Sequence, residues 1–301
     1  MLKSLGYISY YSFDENVSSI HEFDFSLICE YFSSISRQGP GSDESTQRAL
    51  SMIHDLGDDS VIADLGCGCG SQTIQLALHT QAKVKALDLF PLFIDKLMER
   101  CRKAGVSDRV EAIEGDMCNL PFEKASLDVI WSEGAIYNIG FKRGITEWRE
   151  YLKPDGWLAV SEASWLTDSR PSEIEDFWNE AYPEVDTIAN KVQQLKDARY
   201  HDVNTFVLPK ECWIDNFYLP QREAQRLFLE CYPDNKTAAE LVANQRREAE
   251  LYSRYSDYYG YVFYVARRSR CVFLPTNLFS SQFIWYFHDY FLILQPILTI
   301  I

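Results

Sequence analysis

The seven residues Asp64-Leu65-Gly66-Cys67-Gly68-Cys69-Gly70 constrain this chain more than any other stretch. They close a short apolar run, Val61-Ile62-Ala63-Asp64-Leu65, and precede Ser71 to His79, which reads as a helix. Glycine at every second position lets the backbone turn tightly and approach a ligand without Cβ interference. A helix behind such a turn offers unpaired N–H groups and the positive end of its dipole to a carboxylate or phosphate. By itself the loop could serve a dinucleotide. The dehydrogenase fingerprint, however, spaces its glycines G-x-G-x-x-G. Here the third glycine comes one residue early, and an acidic residue, Asp64, stands before the loop.

From that point apolar runs alternate with helical segments. Val84 to Asp88, Val110 to Glu114, Leu127 to Trp131 and Trp157 to Ser161 read as strands, the last after a Pro154-Asp155-Gly156 turn. Pro91 to Ala104 reads as a helix between the first two of these. The alternation predicts βαβ units with right-handed crossovers and a mainly parallel sheet. Thr205 to Leu208 and Tyr259 to Ala266 complete the series, with helices over Gln221 to Tyr232 and Thr237 to Tyr255 between them. The expected fold is α/β: a doubly wound, seven-stranded, mostly parallel Rossmann-like sheet. A helical, aromatic-rich insertion is expected at about residues 165–204. Upstream, Ile20 to Ser36 has helical periodicity, Arg37 to Ser42 is a break, and Ser42 suits the N-cap of a helix running to His54.

Composition narrows the partners. A net charge of −15 repels phosphate backbones, and no basic patch offsets it, so a small molecule is expected rather than nucleic acid. The eight cysteines are scattered without a CxxC pair, and no signal peptide is evident, so reduced thiols in a cytoplasm are expected. Cys67-x-Cys69 has no second Cys or His pair nearby, so no metal is expected there. Residues 1–19 read as an extension. Residues 271–301 are apolar, with Asp289 their only charge. Phe283 to Ile301 is 19 residues long, near the lower limit for a bilayer span. It contains His288, Asp289, Gln295 and Pro296 and lacks basic flanks on both sides, so it reads as an add-on of unknown role rather than an anchor.

Two further aspartates stand in register with the loop. Asp88 ends the second strand, where a carboxylate can accept two hydrogen bonds from a ribose diol. Asp116 follows the third strand, placed for an adenine amino group, with Met117 as an apolar wall. Together with the loop, these positions at three strand ends point to an adenosine-containing ligand.

Val61 to Gly70 resembles the first motif of class I S-adenosylmethionine-dependent methyltransferases. Leu87-Asp88-Leu89-Phe90, Gly115-Asp116-Met117 with Leu120-Pro121-Phe122, Ile130 to Gly134 and Leu152 to Trp157 resemble its later motifs in order. Trp131 to Gly140 with Ser161 to Trp165 is similar to bacterial small-molecule methyltransferases near the ubiquinone-biosynthesis type. The resemblance covers about residues 20–268, and Cys69 departs from it where the family commonly has Thr or Ser. It implies S-adenosylmethionine as cofactor, and it implies roles by position. Asp64, Gly66, Gly68 and Gly70 would hold the methionine moiety. Asp88, with Leu89 beside it, would hold the ribose, and Asp116 with Met117 the adenine. Glu133 would sit near the reacting methyl, and Arg37 with Gln38 would close over the cofactor's carboxylate.

Methyl transfer demands chiefly alignment and exclusion of water, and an oxygen or nitrogen acceptor can also need a proton removed. Glu133, Glu162 and His201 are the candidates for that step. Tyr137, Trp165, Trp178 and Trp213 are the candidate walls of the acceptor pocket. The expected activity is methyl transfer to oxygen, nitrogen or carbon of a small molecule. A non-catalytic S-adenosylmethionine-binding protein and a nicotinamide-dependent oxidoreductase are the alternatives. The sequence leaves a homodimer open.

Overall fold

A computed structural model describes residues 25–270. The extension at 1–19, the first residues of the expected leading helix and the tail at 271–301 lie outside the described residues. Among those described, no helix is long and apolar enough to cross a membrane.

The chain begins with α1 (Phe25–Ser33) and α2 (Asp43–Leu50). Ser42 caps α2 as its spacing predicts, its side chain accepting from the Ser45 N–H. Five strands then alternate with helices: β1 (Val61–Leu65), α3 (Ser71–His79), β2 (Lys83–Asp88), α4 (Pro91–Ala104), β3 (Val110–Glu114), β4 (Leu127–Glu133), α5 (Phe141–Glu147) and β5 (Leu152–Trp165). The remainder comprises α6 (Ser172–Ala181), β6 (Asp186–Thr187), α7 (Ile188–Asp197), β7 (Tyr200–Val207), α8 (Glu211–Trp213), α9 (Leu219–Cys231), α10 (Lys236–Tyr255) and β8 (Tyr259–Arg268).

The sheet order is β3-β2-β1-β4-β5-β8-β7, with the two-residue β6 pairing β5 off that path. Strands β1 to β5 pair in parallel, and β8 runs antiparallel to both β5 and β7. The order reverses between β1 and β4. In an open α/β sheet that reversal leaves a crevice at the carboxyl ends of the strands, where ligands bind. Alternate residues feed opposite faces. Ile62, Val129, Trp131, Ala159 and Phe263 pack on one side, and Ala63, Ile130, Leu158, Val160 and Tyr264 on the other. A third cluster joins Ile28, Tyr31 and Phe32 of α1 to Phe228 of α9 and Leu241 of α10, walling the crevice on its open side.

Three boundaries differ from the sequence reading. Pro154-Asp155-Gly156 does not precede β5 but lies inside it. Leu127 pairs with Leu152 and Val129 with Trp157, so the surplus residues bulge out, with Asp155 at φ 65°. β7 starts at Tyr200, so the insertion ends earlier than residue 204. The stretch Glu211–Tyr218, without a clear sequence pattern, forms α8 and a π-helical turn leading into α9.

Candidate active site

The glycine loop is pinned to the sheet before it meets any ligand. The Gly66 and Cys67 N–H groups donate to the Leu87 carbonyl at 2.8 and 3.0 Å, and the Gly68 N–H donates to Asp88 Oδ2 at 2.8 Å. Gly66, Gly68 and Gly70 all have positive φ. At Gly68 a Cβ would come within 2.6 Å of Gln38 Oε1, so a side chain there is strained by the backbone and would displace the Gln38 oxygen from the Cys69 N–H.

Asp88 ends β2 beneath this loop, 8% exposed and on the cavity wall. Its Oδ1 accepts from the Phe90 N–H at 3.1 Å. Burial pushes its carboxyl above the usual range, and the N–H groups of Gly68, Phe90 and Leu89 oppose that shift. Both oxygens accept from backbone N–H groups and keep lone pairs for a diol.

Asp64 corrects the expectation of direct ligand contact. It is fully buried behind the loop, Oδ2 accepting from the Thr73 hydroxyl at 2.6 Å and Oδ1 from Gln72 Nε2 at 3.3 Å. It therefore ties β1 to the first turn of α3. Burial raises its carboxyl to about 7, against the pull of those two bonds. The folded chain thus keeps a proton that the unfolded chain releases near pH 4. The stability Asp64 contributes is full below about pH 4 and is lost as pH rises through about 7. Asp64→Asn, which cannot titrate, should flatten the stability–pH curve in that window by up to about 1.4 kcal/mol per pH unit. Urea unfolding across the window measures this, and an unchanged slope would mean that Asp64 stays ionised.

The N-terminal segment supplies the opposite wall. Gln38 Nε2 donates to the Phe32 and Ile35 carbonyls, both at 3.0 Å, while its Oε1 accepts from the Cys69 N–H at 2.8 Å. It clasps the end of α1 to the glycine loop. The Arg37 guanidinium lies 2.7 Å from Asp43 and 3.7 Å from Glu133 Oε2, on the cavity wall. Glu133 closes β4 at the crevice, with Oε1 2.7 Å from the Thr46 hydroxyl and 3.0 Å from Trp131 Nε1. Burial raises its carboxyl, while Arg37, Thr46 and Trp131 draw it back. Trp131 shares a strand face with Glu133 and was in that sense legible, but Thr46 lies 87 residues away with no sequence signal.

One cavity is lined at once by the loop, Asp88, Arg37, Gln38, Glu133 and Tyr137. Phe90, Phe93 and Gln245 also line it and were not anticipated. Leu89, by contrast, is 52% exposed and is not among the lining residues, whereas Phe90 is. Asp116 is exposed and its Oδ1 accepts from the Cys118 N–H at 2.8 Å, closing its own turn. Met117 packs half-buried against the core of the face opposite Glu133. None of these three lines the cavity.

Two proposed bases are elsewhere. Glu162 alternates onto the other sheet face from Glu133 and is sealed there, 3.0 Å from Lys191 Nζ, both side chains at 0% exposure. Lys191 also donates to the Glu184 carbonyl and lies over the Phe141 ring. The pair is structural. Lys191→Met should cost about 3–5 kcal/mol in urea unfolding by stranding a buried carboxylate. Adding Glu162→Gln should recover most of it. Recovery that fails, or a single variant of parental stability, would refute this role. His201 pairs in register with Arg267, opposite Trp157, at the amino-terminal end of β5 and so the far end of the sheet from the crevice. Its Nδ1 meets Asp202 at 2.9 Å.

The tryptophans are core rather than pocket lining. β5 runs on to Trp165, which carries that ring against Tyr259, where Trp178 also packs at 5.2 Å. Trp213 stacks on Tyr252 at 4.4 Å. Of the four expected walls, Tyr137 alone lines the cavity.

Comparison with known proteins agrees with this architecture. Residues 62–156 match a family model described as a methyltransferase domain. The chain is 28% identical over 118 residues to a 27-O-demethylrifamycin SV methyltransferase of Amycolatopsis mediterranei (strain S699), covering 39% of this chain and 43% of that protein. It is 26% identical over 113 residues to a sarcosine/dimethylglycine N-methyltransferase of Aphanothece halophytica, covering 38% and 41%. The chain thus spans about two-fifths of the length of these curated relatives. A solved methyltransferase of Thiobacillus denitrificans, in complex with S-adenosyl-L-homocysteine, superposes with TM-score 0.71 at 20% identity. That match covers 84% of this chain and all of the other, and shows the shared fold.

Proposed function

We propose that this chain, which carries a class I S-adenosylmethionine-dependent methyltransferase domain, binds S-adenosylmethionine and methylates a small molecule. The observation that carries the reading is a single cavity lined by the glycine loop, by Asp88 at the end of β2 and by Arg37 beside Glu133. The donor set suits the cofactor. Asp88 would accept from a ribose diol, the Arg37 guanidinium would suit an α-carboxylate, and the Glu133 carboxylate would suit an α-ammonium. When bound, the cofactor supplies a methyl group on a sulfonium, a good leaving centre for in-line displacement.

The chain's own work is positioning. Gln38 fastens α1 over the loop, and the apolar residues of α1, Ile28 and Phe32, line the cavity against water. Both Glu133 oxygens are engaged, so we assign it to holding Arg37 and the cofactor rather than to taking a proton. We place the catalytic domain at residues 20–268, with the insertion between the end of β5 and the start of β7, about 166–199, and read 1–19 and 271–301 as additions. The seven described cysteines are all free, which supports a cytoplasmic setting. The net charge of −15 supports a small-molecule partner over nucleic acid.

Incubation with methyl-tritiated S-adenosylmethionine and a panel of small amines, alcohols and enolisable acceptors tests the activity. Label in a small product supports it. A chain that binds the cofactor yet moves no label to any acceptor would favour a non-catalytic binder.

A further inference from the structure

Arg100 stands on α4 one turn beyond Leu97, the residue whose side chain packs against Gly70. That spacing brings its half-buried guanidinium to the same glycine loop, although Arg100 does not line the cavity. Its Nη1 donates to the Cys69 carbonyl at 2.8 Å and to the Ser36 carbonyl at 3.0 Å. Its Nη2 donates to the Ser71 hydroxyl at 3.2 Å, and that hydroxyl donates in turn to the Ser36 carbonyl at 2.7 Å. One side chain thus joins three segments remote in sequence: the turn after α1, the glycine loop and α4. An arginine suits this post, because its planar fork presents several N–H donors in fixed directions.

Cys69 is gripped on both sides of its backbone. Its N–H donates to Gln38 Oε1, and its carbonyl accepts from Arg100. The turn after α1 is anchored twice as well, at the Ser36 carbonyl and at the Gln38 side chain. Between those anchors lies Arg37, which lines the cavity 3.7 Å from Glu133 Oε2. Ile28 and Phe32 before the turn, and Gly39 and Pro40 after it, line the same cavity. The wall that residues 28–40 form is therefore fastened to the glycine loop, the opposite wall, by Arg100, Ser71 and Gln38. Charge strengthens the Arg100 bonds relative to those of the other two.

We propose that Arg100 is a positioning residue for the cofactor, a latch that holds residues 36–38 against the glycine loop and so sets how long the cofactor stays bound. It acts through the Ser36 carbonyl, which fixes the neighbouring Arg37 and Gln38, and through the Cys69 carbonyl, which fixes the loop. This rests on the reading of the cavity as an S-adenosylmethionine site.

Surface plasmon resonance on the immobilised full chain gives both rate constants for S-adenosylhomocysteine. Arg100→Met keeps the apolar stem and loses every donor. It is expected to release the ligand about tenfold faster, with an association rate within about twofold of the parent. Arg100→Lys, which keeps the charge but not the fork, should recover part of that change. Hydrogen exchange supplies a second readout. Amides of residues 26–38 should exchange faster in Arg100→Met, while those of β1 and β4 keep parental rates. Ser71→Ala removes the other donor to the Ser36 carbonyl, so it carries the test if Arg100→Met does not fold. It should speed release by about threefold, with the same local rise in exchange. A parental release rate in the variant that carries the test, or exchange that rises equally across the sheet, overturns the latch alone. A parent chain that binds no S-adenosylhomocysteine overturns the cofactor reading beneath it.

Discussion

Asp88→Ala should bind S-adenosylhomocysteine about a hundredfold or more weakly than the parent chain. Two hydrogen bonds from a diol to a charged carboxylate are worth roughly 1.5–3 kcal/mol each, and both are lost together. A second cost adds to the first. Asp88 also receives the Gly68 and Phe90 N–H groups, so its removal loosens the loop that approaches the ligand. Asp88→Asn separates the two contributions, because it keeps one acceptor oxygen and the side-chain shape. It should fall between parent and alanine variant. Calorimetric titration measures all three, with circular dichroism confirming the fold. An alanine variant within about threefold of the parent would show that Asp88 does not meet the diol.

Gly70→Ala should be the most destabilising change in the loop. Gly70 is the N-cap of α3 at φ +82°, a conformation that strains any side-chain-bearing residue. A Cβ there would stand 2.1 Å from Leu97 Cδ1, and Leu97 is fully buried on α4. The leucine cannot swing clear without opening the packing between α3 and α4. Backbone strain of about 1–3 kcal/mol and overpacking of similar size add, for a loss of roughly 3–5 kcal/mol. In a chain of this size that lowers the melting temperature by about 6–20 °C. The paired variant Gly70→Ala/Leu97→Ala removes the clash but not the strain, and should recover only part of the loss. A single variant melting with the parent would contradict the geometry.

The order of elements was legible because their signals were local. β1, α3, α4 and β3 begin and end where apolar runs, Pro91 at the start of α4 and Gly105 after it place them. The loop, Asp88 and Glu133 are legible for the same reason: each stands at the carboxyl end of a strand. What failed was anything set by the far side of a contact. Asp64 has the position of a ligand residue, but Thr73 and Gln72 occupy it. Glu162 has the position of a base because strand ends attract function. Alternation along β5 turns it away from Glu133 and onto Lys191. His201 is a lone titratable group whose position depends on how far β7 extends toward its start. The tryptophans read as pocket walls because aromatic composition cannot distinguish lining from core. Gln245 does carry a signal in the sequence, a polar residue within the apolar stripe of α10.

The central claim is that the cavity between the loop, Asp88 and Arg37 is an S-adenosylmethionine site, and calorimetric titration of the purified chain tests it most directly. Saturable one-to-one binding of S-adenosylmethionine and S-adenosylhomocysteine is predicted, with no binding of NAD. A folded chain that binds neither adenosyl ligand, or that binds NAD in their place, would contradict it.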